Sequence, residues 1–367
     1  MGLSTQLRAN TRAARLLYQR LTARGHAHWD VLLRRIPQAV ALRAYRKLAY
    51  AVNDGVLQRW VTPIRFRQFL ARQPAPRDGI FFVIVMPQTL HFLLPCLRLV
   101  DGELRVVLLL NGASRWEADL LRERFPAMPQ FRVATLPNSS VGHGAMINLL
   151  LQNSEHDFGV LDHDLYLFDP AIFRQLRFDA DDFLLCLFND ASADGRWVYP
   201  LTHFLYFRIG VFKQLMAQYG VGAQAYRQVP QPARSRLASI GLREGETMKS
   251  YHVFYDTLHV LLALAYADGL GVAQLEGSAD SVYHIGGTSI GTHHTKDLIH
   301  LYTHLRFLEL SGEPLLQRRY AATSAPFTSA DEVHMKLQGT AHDFYQIKLV
   351  DQLIEKLRAA EVHGSIE

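Results

Sequence analysis

Phe158-Gly159-Val160-Leu161-Asp162-His163-Asp164 is the stretch on which the reading of this 367-residue chain turns. A short apolar run closed by charges predicts a buried strand with its exit at Leu161. Residues two apart in an extended segment point the same way, so Asp162 and Asp164 share a face. Two carboxylates at the mouth of a buried strand are costly unless something positive neutralises them. A hard divalent cation answers that need, since magnesium and manganese favour carboxylates together with substrate phosphates. The alternative is a solvated turn with two surface acids.

Upstream, strands and helices alternate. Ile80 to Met86, Leu104 to Leu110 and Phe131 to Leu136 read as strands. Thr89 to Leu99, Trp116 to Phe125 and Gly144 to Gln152 read as the helices between them. This order predicts an α/β fold with a mostly parallel sheet flanked by helices. Ligands of such sheets bind at the carboxyl ends of the strands. Pro87-Gln88-Thr89, Asn111-Gly112 and Asp162-His163-Asp164 each fall at such an end. Downstream, Phe183 to Phe188, His203 to Phe207, Val272 to Leu275 and Ser281 to His284 are further strand candidates, and Tyr255 to Asp268 reads as an apolar helix. Residues 219–250 are polar and contain Pro and Gly, a composition expected of a lid or binding loop.

Charge is uneven. Residues 1–77 hold fifteen Lys and Arg against Asp30 and Asp54, a net of +13 in a chain whose total is +5. Their apolar residues recur at helical spacing, with Gly25 and Pro37 as expected breaks. Such a segment suits either a helical subdomain packed on the main domain or a platform for anionic lipid head groups. Nucleic acid is the weaker partner, because no nucleic-acid module accompanies the charge. Gln73-Pro74-Ala75-Pro76-Arg77-Asp78-Gly79 reads as a linker, and residues from Lys296 onward as helices. Three segments are therefore expected: a basic helical part over 1–77, a main α/β domain over 78–295 and a helical part over 296–367. Cys96 and Cys186 are the only cysteines, which excludes a disulfide framework and suits a reducing compartment. The N-terminus lacks the apolar core of a signal peptide. The uncharged run Gly79 to Leu97 is interrupted by Pro87, Gln88, His91 and Pro95, and so is not read as a membrane span. The expected location is cytoplasmic, with peripheral attachment to the inner face of a membrane.

Several pieces, in order, resemble the inverting GT-A glycosyltransferases, and especially the large family two. The strand Phe81 to Val85 closing on Met86-Pro87 looks like that family's first strand. Asn111-Gly112-Ala113-Ser114 is similar to its Asn-Gly-Ser turn. Ser140-Val141-Gly142-His143-Gly144-Ala145-Met146-Ile147-Asn148 resembles the glycine-rich segment before its metal motif. Asp162-His163-Asp164 fits its DxD motif, and Tyr283-His284-Ile285-Gly286-Gly287-Thr288-Ser289 looks like the histidine segment of the rhamnosyltransferase-like members. The chain departs from the pattern at Leu110, where an acid often holds the nucleobase, at Ser140 and at Tyr255-Asp256, where a Glu-Asp pair is usual.

The resemblance implies a GT-A fold and transfer of a sugar, with inversion, from a nucleotide-sugar donor to a glycan or lipid-linked acceptor. It implies Mn2+ or Mg2+ on Asp164, with Asp162 on metal-bound water or ribose and His284 as a third ligand. His284 as a packed histidine of a tight turn is the competing reading. Donor contacts are expected from Pro87, Gln88, Thr89, Asn111, Gly142, Asn148 and Asp162. Inversion needs a base for the acceptor hydroxyl. Asp256 is the first candidate, with Glu246 and Glu244 in reserve; Asp256 also suits a plain helix-start charge. His203 and Arg208 suit contact with acceptor or diphosphate, but structural roles are preferred for both, and His293-His294 is not read as a metal pair, because adjacent strand residues point apart. Two other readings compete. One is a haloacid-dehalogenase-like phosphatase, against which Leu165 and the missing Gly-Asp pair count. The other is a GT-A-like protein that binds a sugar nucleotide or glycan without turnover. A dinucleotide oxidoreductase lacks its Gly-x-Gly-x-x-Gly after the first strand.

Overall fold

The apolar runs predicted to be strands are strands, and their burial explains why. In the computed structural model every residue of β1 (Ile80–Val85) is buried, as are all but the first of β2 (Arg105–Leu110) and all of β4 (Phe158–Leu161). The described residues are 15, 17–19, 21–22, 27–74, 79–192, 195–242, 246–247, 254–278, 280–288, 297–338 and 344–364. The remaining strands are β3 (Gln130–Arg132), β5 (Leu165–Leu167), β6 (Asp182–Cys186), β7 (Asn189–Ala191), β8 (Val198–Pro200), β9 (Phe204–Phe207), β10 (Gly271–Gln274) and β11 (Val282–His284).

Seven strands form one sheet in the order β10-β6-β9-β4-β1-β2-β3. Strands β3, β2, β1 and β4 pair in parallel, as do β6 and β10. Strand β9 alone runs antiparallel, between β4 and β6. The expected α/β architecture with a mostly parallel sheet flanked by helices is therefore present, compatible with a Rossmann-like fold. The strand order reverses between β1, which is followed outward by β2 and β3, and β4 on its other side. Such a switch point leaves a crevice beyond the carboxyl ends of the two strands.

Contacts divide the chain into two compact units. One comprises residues 49–87 and 96–284 and holds the sheet; the other comprises 1–48, 88–95 and 285–367. In the sheet-bearing unit, helix Thr62–Ala71 inserts Phe66 against Phe82 and Phe131, with ring centroids 6.0 and 4.9 Å apart. Asn53 is wholly buried; its amide donates to Ser139 Oγ at 2.9 Å and its carbonyl accepts from Leu136 N at 2.9 Å. That bond is why β3 is shorter than the run Phe131 to Leu136 suggests: past Val133 the backbone leaves the ladder and turns to Asn53. The second unit is helical. Leu298–Ser311 packs against Ala330–Leu337 and Phe344–Gly364, and Asp351 accepts from Tyr302 Oη at 2.6 Å and Arg306 Nε at 3.1 Å.

Other expectations shift locally. Residues 219–250 contain the helix Gln231–Ser239, begun by Pro230 and Pro232. The helix expected from Tyr255 starts at His259, because Leu258 adopts a left-handed backbone (φ +68°). Pro37 does not break its helix; it follows the π-helical turn Val31–Arg35, whose altered bonding accommodates the missing donor. Gly25 lies outside the described residues.

Gly112, after β2, has φ +85°, and a Cβ there would sit 2.3 Å from the carbonyl oxygen of Ser139. Gly112→Ala is expected to destabilise the fold by about 1–3 kcal/mol from backbone strain alone. Asn53→Ala, by removing a wholly buried amide that bonds Ser139 Oγ and the half-buried Leu136 N–H, is expected to cost about 1–3 kcal/mol. Urea unfolding of each variant checks both; a loss below about 0.5 kcal/mol in either would show the loop to be held otherwise.

Candidate metal centre

Asp162 leaves β4, and its backbone N–H continues the antiparallel ladder by donating to His203 O at 2.9 Å. Since Leu161 pairs with Phe204, the next step of that register sets Asp162 opposite His203. A second antiparallel pair does the same for the other histidine. Strands β5 and β11 align Leu165 with His284, so His284 arrives one residue beyond Asp164. Two short ladders thus carry two imidazoles to the aspartates from distant parts of the chain.

The resulting cluster is tight. His203 Nδ1 lies 3.3 Å from Asp162 Oδ2, and His284 Nε2 lies 3.9 Å from the same oxygen. His284 Nε2 is also 3.4 Å from Asp164 Oδ1. The two imidazoles stack with centroids 3.4 Å apart. Ligand atoms of Asp162, His203 and His284 all fall within 4.8 Å of one another. One carboxylate and two imidazoles converging so closely fit a divalent transition-metal ion, for which imidazole and carboxylate are ordinary ligands. Asp164 lies outside that set. Its side chain is 4% exposed against 25% for Asp162, and its position beside His284 suits it to orienting that ring.

The electrostatics favour a charged Asp162. Burial alone raises its pKa, and the Asp164 charge adds to that. The His203 hydrogen bond and the fields of His143 and His163 outweigh both, and the net shift is downward. Cys96, wholly buried, donates its thiol to Asp162 O at 3.8 Å. Burial, with the Asp164 charge, pushes that thiol and the Tyr166 hydroxyl upward, so both stay protonated.

The other expected site residues are placed as follows. Asn111 is fully buried, its amide donating to Val141 O at 2.9 Å and its carbonyl accepting from Val141 N at 2.7 Å. Asn148 accepts from Ala223 N at 2.9 Å and donates to Gln224 Oε1 at 2.8 Å. Both amides are thus engaged with the protein itself. Gly142 caps helix His143–Asn153 without a side-chain bond, and its Cα faces the Tyr50 ring. Pro87 is half-buried after β1; Gln88 (φ +63°) and the buried Thr89 belong to the other compact unit.

Asp256 precedes helix His259–Ala267 and accepts from Thr257 N at 2.8 Å. Thr257 in turn packs beside Gly144, where a Cβ would meet its hydroxyl at 3.2 Å and Ala223 O at 2.8 Å. Thr257, the neighbour of Asp256, therefore sits beside the start of helix His143–Asn153. Glu246 is exposed; Glu244, His293 and His294 lie outside the described residues. Arg208 donates to the carbonyls of Asp179, Ala180 and Asp182 at 3.2, 2.9 and 3.0 Å, the structural use expected of it. His203 is the member of the cluster that the sequence does not mark as a metal ligand. Its one signal was its place at the start of an apolar run, opposite in sense to β4, and that sense is not written in the sequence. An open cavity of about 590 Å³ lies alongside, lined by Gln175, Phe188, Gln274, Glu276 and Val282 among others, with Phe188 set edge-on to His203 at 6.0 Å.

No curated protein matches the chain significantly. The family model of the StrH glycosyltransferase N-terminal domain matches residues 59–212, less than half of the chain. The matched part runs from ahead of helix Thr62–Ala71 through β9, and so contains Asp162, Asp164 and His203 but not His284. The chain is accordingly a glycosyltransferase-related protein.

Proposed function

We propose that the protein is a metal-dependent GT-A glycosyltransferase of the family-two kind, moving a sugar from a nucleotide-sugar donor to a glycan or lipid-linked acceptor with inversion. One observation carries the reading. Asp162, His203 and His284 converge within 4.8 Å at the strand ends of a glycosyltransferase-related domain. Of the two expected ions, Mn2+ suits imidazole ligands better than Mg2+, and bound there it would supply positive charge to the diphosphate that departs from the donor. Asp162, kept ionised by its histidine neighbours, supplies the negative ligand. His203 and His284 supply neutral nitrogen lone pairs, and Asp164 fixes the ring of His284. The adjoining cavity offers the Glu276 carboxylate and the Phe188 ring to a sugar. The family match favours this reading over a phosphatase.

In an inverting transfer the acceptor oxygen bonds to the anomeric carbon as the bond to the diphosphate breaks, and the acceptor proton passes to a base. We assign that base to Asp256, with Glu246 in reserve. Its carboxylate accepts from Thr257 N at 2.8 Å, just ahead of the apolar helix His259–Ala267.

Two outcomes follow. In a melting panel of UDP-, GDP-, dTDP- and CMP-sugars, one donor should stabilise the chain only when manganese is present, by about 2.7 kcal/mol at 100 times its dissociation constant. Asp162→Asn and His203→Ala should each abolish that increment and turnover while leaving the metal-free melting temperature within a few degrees. Donor stabilisation that survives chelation, or survives both variants, would overturn the metal assignment. Asp256→Asn should lower transfer roughly a hundredfold with donor binding unchanged. If Glu246→Gln gives that pattern instead, the base is Glu246; a product of retained configuration removes the role altogether. Donor binding with neither transfer nor hydrolysis under any acceptor would leave the non-catalytic reading.

A further inference from the structure

The helical stretch from His28 to Leu48 has more apolar surface than its packing uses. Val31 is fully buried, as is Leu21 in the helical residues before it. Trp29, Leu33, Val40 and Leu48 are instead 71, 74, 60 and 65% exposed. Their spacings of four, seven and eight residues put them along one side of a helix. Leu32 and Tyr45 are exposed beside them. A helix apolar on more than its packed face needs a second covering.

The charge around this face says what the covering is. Arg34, Arg43, Arg46 and Lys47 are all exposed. Asp30 is the only acid between His28 and Leu48, and it is taken by Arg35 at 3.0 Å. A second copy of the chain would bring like charges together on the same face. A bilayer with anionic head groups meets both needs at once: the acyl boundary takes the leucines and valine, the head groups take the cations, and an indole at the boundary suits Trp29. We propose that the face formed by Trp29, Leu33, Val40 and Leu48, with its flanking arginines and lysine, docks on an anionic lipid surface. The proposal stands independently of the sugar-transfer reading, since it uses none of the same residues.

The test is co-sedimentation of the full chain with vesicles of phosphatidylcholine, pure or with a third of phosphatidylglycerol. The chain should pellet with the mixed vesicles and remain in solution with the neutral ones. Raising salt from 0.1 to 1 M, which shortens the Debye length from about 10 to about 3 Å, should release part of it. Trp29→Glu with Leu33→Glu should weaken partitioning at least tenfold, and Arg43→Glu with Lys47→Glu should do so by a similar factor. All four side chains are exposed, so both double variants should melt with the parent, and manganese-dependent donor stabilisation, where present, should be unchanged. Failure of the parent chain to bind mixed vesicles, equal binding to neutral vesicles, or undiminished binding by both variants would overturn the proposal. So would a dimer in lipid-free solution that Trp29→Glu with Leu33→Glu dissolves, because the face would then belong to a second copy.

Discussion

The backbone hydrogen bond from Asp162 N to His203 O is the contact on which the site depends. It extends the β4–β9 ladder by one residue past the apolar core, and in doing so fixes where two functional side chains stand. A sheet with β9 parallel to β4, or shifted by one residue, would turn His203 to the opposite face and leave Asp162 without its neutralising partner. The β5–β11 pair repeats the device for His284. The acidic turn after β4 is thus clamped from both sides by strands that run against its own neighbours.

Around this clamp, polar side chains do structural work that holds the crevice open. Asn53 gathers the loop at Leu136 and Ser139, Asn111 ties Val141 to the end of β2, and Gly112 lets the two backbones touch. These contacts position Gly142 and the start of helix His143–Asn153, from which the field of His143 reaches Asp162. Asn53 and Asn111 are wholly buried, so their bonds are made in surroundings where leaving them unmade costs more than it would in water. The precision of the site therefore rests on a layer of amides behind it.

Much of the architecture was legible because burial on both faces leaves a direct mark. Val, Ile, Leu and Phe run unbroken through Ile80–Val85 and Val106–Leu110, and the alternation with helices gave the parallel sheet. The two aspartates and His284 were legible as chemistry-bearing residues at strand ends, and the structure brings all three into one cluster. His203 was not, because its meaning comes from an antiparallel pairing 41 residues away from Asp162. Asn111 and Asn148 drew attention as polar residues near the crevice. An amide engaged with backbone reads the same in sequence as one that awaits a ligand, and here both are engaged. Helix Gln231–Ser239 was hidden because its weak apolar pattern sits between Pro and Gly signals that suggest a loop.

The central claim is that Asp162, His203 and His284 form a divalent-metal site, and electron paramagnetic resonance of Mn2+ titrated into the full chain addresses it without reference to any substrate. The account predicts that added Mn2+ loses its free six-line signal up to one equivalent. Affinity should fall as the pH is lowered, because a protonated imidazole has no lone pair to give. His203→Ala, which removes a ligand that the sequence does not mark as one, should restore the free signal. Persistence of the full six-line spectrum with the parent chain, or unaltered binding in His203→Ala and Asp162→Asn alike, would contradict it.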